Sequence, residues 1–394
     1  MERVVSLSSL DLSEQTGPRL FQHLTLRSIT LKNRIMVSPM SMYSSHEGFT
    51  DDLHLVHLGR FALGGAGLVM MEATAVARDG RITHGCNGIW LDAHIAPLKR
   101  IAGFLKSHGA VPGIQLGHSG PKGSSQRPWH GYGPLGPGDL AERREQPWTT
   151  RSASSQRNEG GAEPSQALSE SEMDALVEDY RQSTRRARES GFEALELHCA
   201  HGYLLHSFLS PLVNHRSDRY GGSLENRMRF PLRVAKAVRQ EWPEQFPMFV
   251  RISSVDGIGV GWSIEDSVTF ATELKACGVD AIACSSGGIT LPRDKVLVSR
   301  EPGFQVPFAA RIRKEARLPT IAVGLICKPE QADAVIAAGD ADLIALGREM
   351  LVDPNWAAQA ALKLQQGAGW KEWPDQFRWW LERRARQMGR SSKS

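Results

Sequence analysis

The chain has 394 residues, of which 41% are hydrophobic, and its 47 basic and 43 acidic side chains leave a formal net charge of +4. This small, scattered excess does not favour nucleic-acid binding, and no stretch approaches the roughly 18 consecutive apolar residues of a membrane span. The length permits one large domain, because α/β barrels exceed about 250 residues as single domains. A C-terminal group of arginines is interpreted as a solvated helix face or tail: Arg383, Arg384, Arg386 and Arg390.

The N-terminal residues do not indicate export, and the cysteines do not indicate disulfides or metal binding. Residues 1–18 include Glu2, Asp11 and Glu14 and lack a basic segment followed by an apolar run, so a secretory signal is not predicted and a cytoplasmic location is expected. The five cysteines are widely spaced and form no C-x-x-C pair. This argues against a disulfide framework, a zinc site and a cysteine-bound iron–sulfur cluster.

Short β-branched or apolar runs alternate with amphipathic helical patterns along the chain. Two of the helical patterns are Ser169–Ser190, which opens with a capping-box sequence, and Ser223–Trp242. Strands alternating with helices predict a single (β/α)8 barrel, with a doubly wound open sheet as the alternative. The barrel is favoured because no G-x-G-x-x-G follows the first strand and polar residues end many different strands. The eight predicted strand runs are Ile35–Met40, Gly67–Val76, Val111–His118, Ala194–His201, Met248–Ser253, Ala281–Gly287, Pro319–Gly324 and Leu343–Met350.

The predicted barrel occupies residues 19–368, between an N-terminal extension (1–18) and a C-terminal segment (369–394). Within it, Ser119–Ala167 is rich in Gly, Pro, Ser and Arg and shows no clear periodicity. So long a loop in a compact domain is usually functional or mobile. Since it follows the third strand, we interpret it as a cover on the substrate side, with a disordered surface excursion as the alternative.

The C-terminal stretch Trp370–Arg390 holds four of the ten tryptophans. Trp379, Trp380 and Leu381 are adjacent, so they do not share one helix face. This spacing predicts that the stretch packs against something besides its own barrel.

The fourth predicted strand ends in His198, His201 and Tyr203. Barrel active sites are built from the C-terminal ends of strands, so this is where reactive side chains are expected. Two imidazoles could hold a carbonyl or nitro oxygen as negative charge develops on it, and a phenol beside them could deliver a proton. From spacing alone, a metal pair or two structurally satisfied histidines remain open alternatives.

The last two strands end in glycine turns that could hold a phosphate. Gly324 follows the seventh run, and Gly347 and Arg348 follow the eighth. Backbone N–H groups at these turns would form the phosphate site that many barrels share, and the arginine would add a bidentate contact. A glycine there could also simply close a turn.

Two further strand residues suit a flat heteroaromatic ring. Gln115 in the third strand can bond a pyrimidine edge in both directions, and Arg251 in the fifth can stabilise negative charge on a reduced flavin. Each could instead be a barrel-layer residue in a salt bridge.

Six motifs, in this order, resemble the old yellow enzyme family, closest to its bacterial branch of thermophilic-type ene-reductases and xenobiotic reductases. The resemblance runs from about Leu20 to the C-terminus. The motifs are Ser38–Ser45, Glu72–Val76, Arg81–Trp90, Gln115–His118, His198–Tyr203 and Asn214–Arg227.

The resemblance implies a bound FMN, with NADPH or NADH as the reductant. Members of this family reduce activated alkenes, and the implied reaction passes hydride through flavin N5 to the β-carbon of an enone, a nitroalkene or a similar acceptor. The implied cofactor residues are Ser38, Pro39, Met40, Ser41, Ala73, Gln115 and Arg251 around the flavin, and Gly324, Gly347 and Arg348 at its phosphate.

On the substrate side, the resemblance implies that His198 and His201 bind the oxygen of the acceptor. Tyr203 corresponds to the proton donor, and Tyr43 to a phenol that lines the pocket. No metal is implied.

The resemblance also implies a homodimer or homotetramer. Phe377–Arg384 is similar to a segment that reaches into a neighbouring subunit's pocket in this branch, and Trp380 or Arg378 is the candidate visiting side chain. The alternative is that these residues pack on their own barrel.

Two alternative functions remain open from the sequence. A desaturase or oxidase could use the same site in the reverse direction, with oxygen reoxidising the flavin. A non-redox phosphate-binding barrel, such as an aldolase or isomerase, would need a Schiff-base lysine or a catalytic carboxylate at a strand end, and none stands in a persuasive place.

Two positions depart from the family pattern. Ser41 replaces the cysteine usual in this branch; it keeps a hydroxyl donor but loses the polarizable sulfur, which predicts an altered flavin potential. Pro121 stands before Lys122 where arginine is frequent, which predicts a reshaped pocket wall.

Overall fold

The computed structural model describes residues 17–155, 164–289, 298–365 and 368–391. Most of the predicted N-terminal extension (1–16) and part of the predicted cover loop (156–163) lie outside the described residues.

Eight parallel strands close into a barrel, which confirms the predicted (β/α)8 fold and excludes the open-sheet alternative. Each strand pairs with its neighbours along the chain, and the pairing of Ile344 with Ile35 closes the ring. The barrel strands are β3 (Ile35–Val37), β4 (Leu68–Ala75), β5 (Val111–Gly117), β8 (Ala194–Cys199), β9 (Met248–Ser253), β10 (Ala281–Ser285), β11 (Thr320–Ala322) and β12 (Leu343–Leu346).

A short hairpin plugs one end of the barrel. Its strands, β1 (Leu24–Leu26) and β2 (Ile29–Leu31), pair in antiparallel fashion. Leu26 and Leu31 pack in one buried cluster with inward-facing strand residues such as Phe249. Since the hairpin fills the end where the strands begin, the opposite end is left for the site.

Helices surround the barrel and form the larger core against its outer face. The two helical patterns singled out in the sequence are confirmed: Ser169 and Ser223 cap α4 and α6 through their side chains. The helices are α1 (Asp52–Leu63), α2 (Ile95–Ser107), α3 (Pro137–Arg143), α4 (Glu170–Glu189), α5 (Leu204–Leu209), α6 (Leu224–Glu241), α7 (Ile264–Ala276), α8 (Val306–Ala316), α9 (Pro329–Ala337), α10 (Arg348–Val352), α11 (Trp356–Leu364) and α12 (Asp375–Ser391).

Most of the strands end earlier than the sequence runs predicted. The run Leu343–Met350, for example, leaves the sheet after Leu346, because Gly347 turns the backbone into the first residue of α10. The residues past each strand end are the loops that form the mouth of the barrel.

The described parts of the segment Ser119–Ala167, residues 119–155 and 164–167, contain regular structure that its aperiodic sequence did not predict. They contain α3 and a two-stranded parallel pair, β6 (Arg151–Ser152) and β7 (Gln166–Ala167). Arg127 donates from Nε to the Tyr43 carbonyl at 3.0 Å, and Trp148 Nε1 donates to the Asp79 carbonyl at 3.0 Å. The segment is thus attached to the loops that follow β3 and β4, at the mouth of the barrel.

The C-terminal helix α12 presents large apolar side chains to solvent. Phe377, Trp379, Trp380 and Met388 are all exposed, and the two tryptophan rings lie 4.5 Å apart. Among the described residues, no helix is both long and apolar enough to cross a membrane.

A substitution at Phe230 tests the packing of the core between the helices and the outer face of the barrel. This side chain lies on α6, is fully buried and packs 4.6 Å from the Phe208 ring. Phe230→Ala is expected to lower the free energy of unfolding by about 3–5 kcal/mol, through lost burial and the cavity left behind. Urea denaturation followed by tryptophan fluorescence measures this. Val56→Ala, at an exposed position, should change it by less than about 0.5 kcal/mol; an equal effect of both changes would contradict the assignment.

Candidate active site

A tight turn follows β8 and carries the predicted catalytic residues. The Tyr203 N–H donates to the Ala200 carbonyl at 3.2 Å, and the two central residues, His201 (φ 60°) and Gly202 (φ 74°), are both left-handed. Two successive left-handed residues make a type I′ turn, which reverses the chain within two residues. Glycine is required at the second position, because a Cβ there would collide with the Gly288 carbonyl oxygen.

The reversal brings together side chains that strand alternation would have separated. The ring centroids of His198 and Tyr203 are 4.8 Å apart, those of His198 and His201 are 5.1 Å apart, and those of His201 and Tyr203 are 6.4 Å apart. The structure therefore places all three residues at one point of the barrel mouth.

Hydrogen bonds assign the protons of the two imidazoles. His198 Nδ1 accepts from the Ala200 N–H at 3.1 Å, so its proton lies on Nε2, 3.3 Å from His201 Nδ1. His201 Nε2 lies 2.6 Å from Ser285 Oγ at the end of β10. Ser285 was not predicted as a site residue, because 84 residues separate it from its histidine.

The protonation states follow from burial. Burial, and then the nearby Arg251 guanidinium, hold the pKa of His198 well below its ordinary value; burial and His198 do the same to the pKa of His201. Burial, with Tyr43 next, raises the pKa of Tyr203 well above its ordinary value. At neutral pH the site therefore presents two neutral imidazoles and a neutral phenol, all able to donate hydrogen bonds.

Polar side chains also converge inside the barrel beneath the turn. Arg251 Nη1 donates to Ser38 Oγ at 2.9 Å, and Gln115 Nε2 donates to Glu196 Oε1 at 2.6 Å. Burial lowers the pKa of Arg251 and raises that of Glu196. Glu196 was not predicted as a site residue, although its place two residues before His198 in one strand puts both on the same face.

Two polar atoms of this layer have no partner among the described residues. Arg251 Nε and Glu196 Oε2 are both buried without a hydrogen bond. Buried polar groups are normally bonded, so these two atoms mark a place where a polar ligand belongs.

The loop after β3 carries several predicted flavin and substrate residues, and a hydrogen bond to the buried Glu72 fixes its backbone. The Met42 N–H donates to Glu72 Oε2 at 2.9 Å, and His54 Nε2 lies 3.3 Å from Glu72 Oε1. Beyond this anchor, Tyr43 is left-handed (φ 53°) and half-buried. Burial raises the pKa of the Tyr43 phenol, and a side-chain hydrogen bond with Ser41 opposes the rise.

The remaining predicted cofactor residues lie at strand ends around the same mouth. Pro39, Met40, Ser41 and Ala73 are half-buried. Met40 follows β3, whose neighbour β12 ends just before Gly347, so the two residues lie at adjacent strand ends.

The two turns predicted to hold a phosphate follow β11 and β12. Gly324 adopts φ 115°, and Gly347 is the N-cap residue of α10 and makes no side-chain cap. Arg348 is the first residue of α10, and its side chain is exposed.

Trp380, which was predicted to enter a neighbouring subunit's pocket, lies away from the turn of its own chain, and one unpredicted residue lies near the predicted site. Trp380 lies on α12, and no described ring contact or hydrogen bond joins it to the turn residues. Trp129, from the predicted cover loop, lies with its ring 6.3 Å from the Tyr43 ring and is 61% exposed. Nothing in the aperiodic sequence of that loop marks this tryptophan.

Comparisons with known sequences and structures indicate which family the chain resembles. Residues 19–367 match the model of the NADH:flavin oxidoreductase / NADH oxidase family. The NADPH dehydrogenase of Geobacillus thermodenitrificans is 41% identical over 88% of this chain and 94% of its own length, and that of Bacillus subtilis is 40% identical over 88% and 95%. Among solved structures, morphinone reductase in complex with tetrahydroNAD superposes with a TM-score of 0.71 at 26% identity, covering 88% of this chain and 91% of its own.

The family model spans nearly the whole barrel, the relatives have about the same length, and the fold is shared. Together these matches establish the family of the chain. The chain belongs to the NADH:flavin oxidoreductase / NADH oxidase family, the old yellow enzyme family, and this membership implies FMN as cofactor and NAD(P)H as reductant.

Proposed function

We propose that this oxidoreductase is an FMN-dependent ene-reductase, which transfers hydride from NAD(P)H to the β-carbon of an activated alkene such as an enone or nitroalkene. The observation that carries the proposal is the convergence of two neutral imidazoles and one neutral phenol at the barrel mouth. Such a site can hold an oxygen on which negative charge develops and can supply a proton beside it.

The residues present fit an FMN. Arg251 Nε and Glu196 Oε2 are buried and unpaired, which suits a polar ring edge. When bound, FMN accepts hydride from the nicotinamide and passes it to the acceptor. The residues proposed to hold it are Ser38, Pro39, Met40, Ser41, Ala73, Gln115 and Arg251 at the ring, and Gly324, Gly347 and Arg348 at the phosphate.

His198 and His201 bind the acceptor oxygen. The oxygen enters between His198 Nε2 and His201 Nδ1 and replaces the hydrogen bond that now joins them. His198 donates from Nε2. His201 donates from Nδ1 once the Ser285 hydroxyl donates to its Nε2. These preorganised donors stabilise the enolate-like charge of the transition state more than the neutral substrate.

Tyr203 donates the proton to the α-carbon. Its pKa is raised by burial, so the phenol stays protonated at neutral pH and its oxygen reclaims a proton after each turnover. Tyr43, with Trp129 against it, lines the outer wall of the pocket.

The nicotinamide and the alkene use the same pocket in turn. Morphinone reductase, a member of the same fold, was solved with tetrahydroNAD bound, which supports a nicotinamide site in this fold. We propose that NADPH or NADH binds first, and that its oxidised form leaves before the alkene enters.

An anaerobic titration of the purified holoprotein tests the proposed function. NADPH or NADH should bleach the flavin absorbance, and 2-cyclohexenone or a nitroalkene should restore it without oxygen. A protein that reacts only with oxygen would favour the oxidase alternative, and one that purifies without flavin would contradict the proposal outright.

Tyr203→Phe separates the two half-reactions. The change removes the proton donor, so reoxidation of the reduced flavin by 2-cyclohexenone should slow by about 10²-fold. Reduction by NADPH needs no proton from the phenol and should change by less than about twofold. Stopped-flow absorbance measures both rates. An unchanged rate with the enone would exclude Tyr203 as the donor.

Ser41→Cys tests the effect of having serine at a flavin-lining position where this branch of the family usually has cysteine. Because Ser41 contacts the Tyr43 phenol, a thiol changes both the hydrogen bonding and the polarizability beside the ring. We expect the two-electron potential to shift by at least about 10 mV, measured by anaerobic equilibration with a reference dye. Ser107→Cys, at an exposed site on α2, is the control and should leave it unchanged. Identical potentials of wild type and Ser41→Cys would contradict this interpretation.

We further propose that residues 369–394 contact a neighbouring subunit and that Trp380 enters its pocket. The exposure of Trp380, 66%, and of three other large apolar side chains on α12 supports this. In an oligomer of two or four subunits, Trp380→Ala should raise the KM for the enone by about fivefold. Light scattering of the eluting protein gives the subunit number. A fully active monomer would contradict the proposal.

A further inference from the structure

The turn that carries His201 and Tyr203 is held through its backbone N–H groups. The His201 N–H donates to Ser253 Oγ at 2.9 Å, and the Gly202 N–H donates to His206 Nδ1 at 2.8 Å. A left-handed histidine is strained, so the turn persists only because its surroundings hold it. His206, on α5, therefore matters to a site that it does not touch directly.

His206 can accept the Gly202 N–H only when its Nδ1 carries no proton. Its Nδ1 accepts from Gly202, so the ring proton lies on Nε2. Nε2 is 3.1 Å from Asp256 Oδ1, and both side chains are completely buried. The two atoms are in close polar contact without hydrogen-bond alignment, and within the described part of the chain neither has a hydrogen-bond partner elsewhere. The carboxylate thus selects the tautomer that the turn requires.

Asp256 is itself fixed in the loop that follows β9. Its Oδ2 accepts from Ser210 Oγ at 2.6 Å and from the Trp262 N–H at 2.7 Å. Burial would raise the pKa of Asp256, but the contact with His206 and the hydrogen bond from Ser210 hold it below its ordinary value. The group stays a carboxylate, and its second oxygen is directed at the imidazole.

We propose that His206 and Asp256 form a positioning pair, which locks the His201–Gly202 turn and so sets where His201 and Tyr203 stand relative to the acceptor. The proposal rests on the proposed function, because it concerns the binding of the acceptor oxygen. A pair that only stabilised the fold would affect stability and leave the rate per folded holoenzyme unchanged.

Asp256→Asn keeps the shape of the side chain at this position and is expected to reverse the tautomer of His206. The Trp262 N–H still needs an acceptor, so the amide oxygen takes the place of Oδ2 and the amide NH₂ faces His206 Nε2. The His206 ring proton then lies on Nδ1, where it faces the Gly202 N–H, and two donors cannot form a hydrogen bond. His206→Leu removes the acceptor altogether, whereas His206→Asn supplies an oxygen close to the position of Nδ1.

The test compares two oxidants of the same reduced holoenzyme. Each variant is photoreduced anaerobically and mixed with 2-cyclohexenone or with oxygen in a stopped-flow instrument. We expect Asp256→Asn and His206→Leu to slow the enone reaction by about tenfold or more. Oxygen needs no histidine pair, so its rate should stay within about twofold of wild type.

Two further variants keep the outcome interpretable if a buried change impairs folding. His206→Asn should recover most of the enone rate that His206→Leu loses. Ser210→Ala removes a partner from the same carboxylate without changing the tautomer, and should stay within about twofold of wild type. Flavin content and melting temperature normalise all rates to folded holoenzyme.

The outcomes separate this proposal from the proposed function. If the wild type reacts with the enone and Asp256→Asn matches it, or if His206→Asn and His206→Leu are equally slow with both oxidants, the positioning pair is contradicted alone. If the wild type is reoxidised by oxygen and by no enone or nitroalkene, the proposed function fails, and this inference fails with it.

Discussion

The left-handed turn at His201 and Gly202 is the constraint on which the site depends. A parallel strand must leave the barrel at its C-terminal end, and a straight continuation would direct His201 away from His198. Reversing the chain within two residues returns the second imidazole and the phenol to the first. The reversal strains the backbone of His201 and requires glycine at position 202, because any other residue there would collide with the Gly288 carbonyl oxygen. The surrounding β9 and β10 loops and α5 supply the contacts that hold this arrangement.

Burial then decides the chemistry that the assembled groups can perform. The same low-polarity surroundings keep the imidazoles neutral and the phenol protonated, so the site donates hydrogen bonds without carrying net charge of its own. Beneath them lie the buried side chains of Arg251 and Glu196, each with one polar atom that has no hydrogen-bond partner among the described residues. Neutral donors at the mouth and polar groups beneath suit a reaction in which charge passes through a cofactor to a bound oxygen.

The sequence predicted the barrel because strand and helix periodicities alternate eight times, and it predicted the trio because its members lie within six residues. It did not reveal Ser285, His206 or Asp256 as supports, since these act through contacts that only the closed barrel creates. The short helix α3 and the position of Trp129 were missed for a similar reason: a loop without periodicity takes its shape from what it packs against. The non-redox barrel alternative is overturned by membership of the NADH:flavin oxidoreductase / NADH oxidase family.

The account is tested most directly by the stoichiometry of a complete turnover under argon. Purified holoprotein is mixed with NADPH and a tenfold excess of 2-cyclohexenone, and both the oxidised nicotinamide and the saturated ketone are quantified. The account predicts one cyclohexanone for each NADPH consumed, with many turnovers per flavin. Consumption of NADPH that requires oxygen and yields no saturated product from this or any other activated alkene would contradict it.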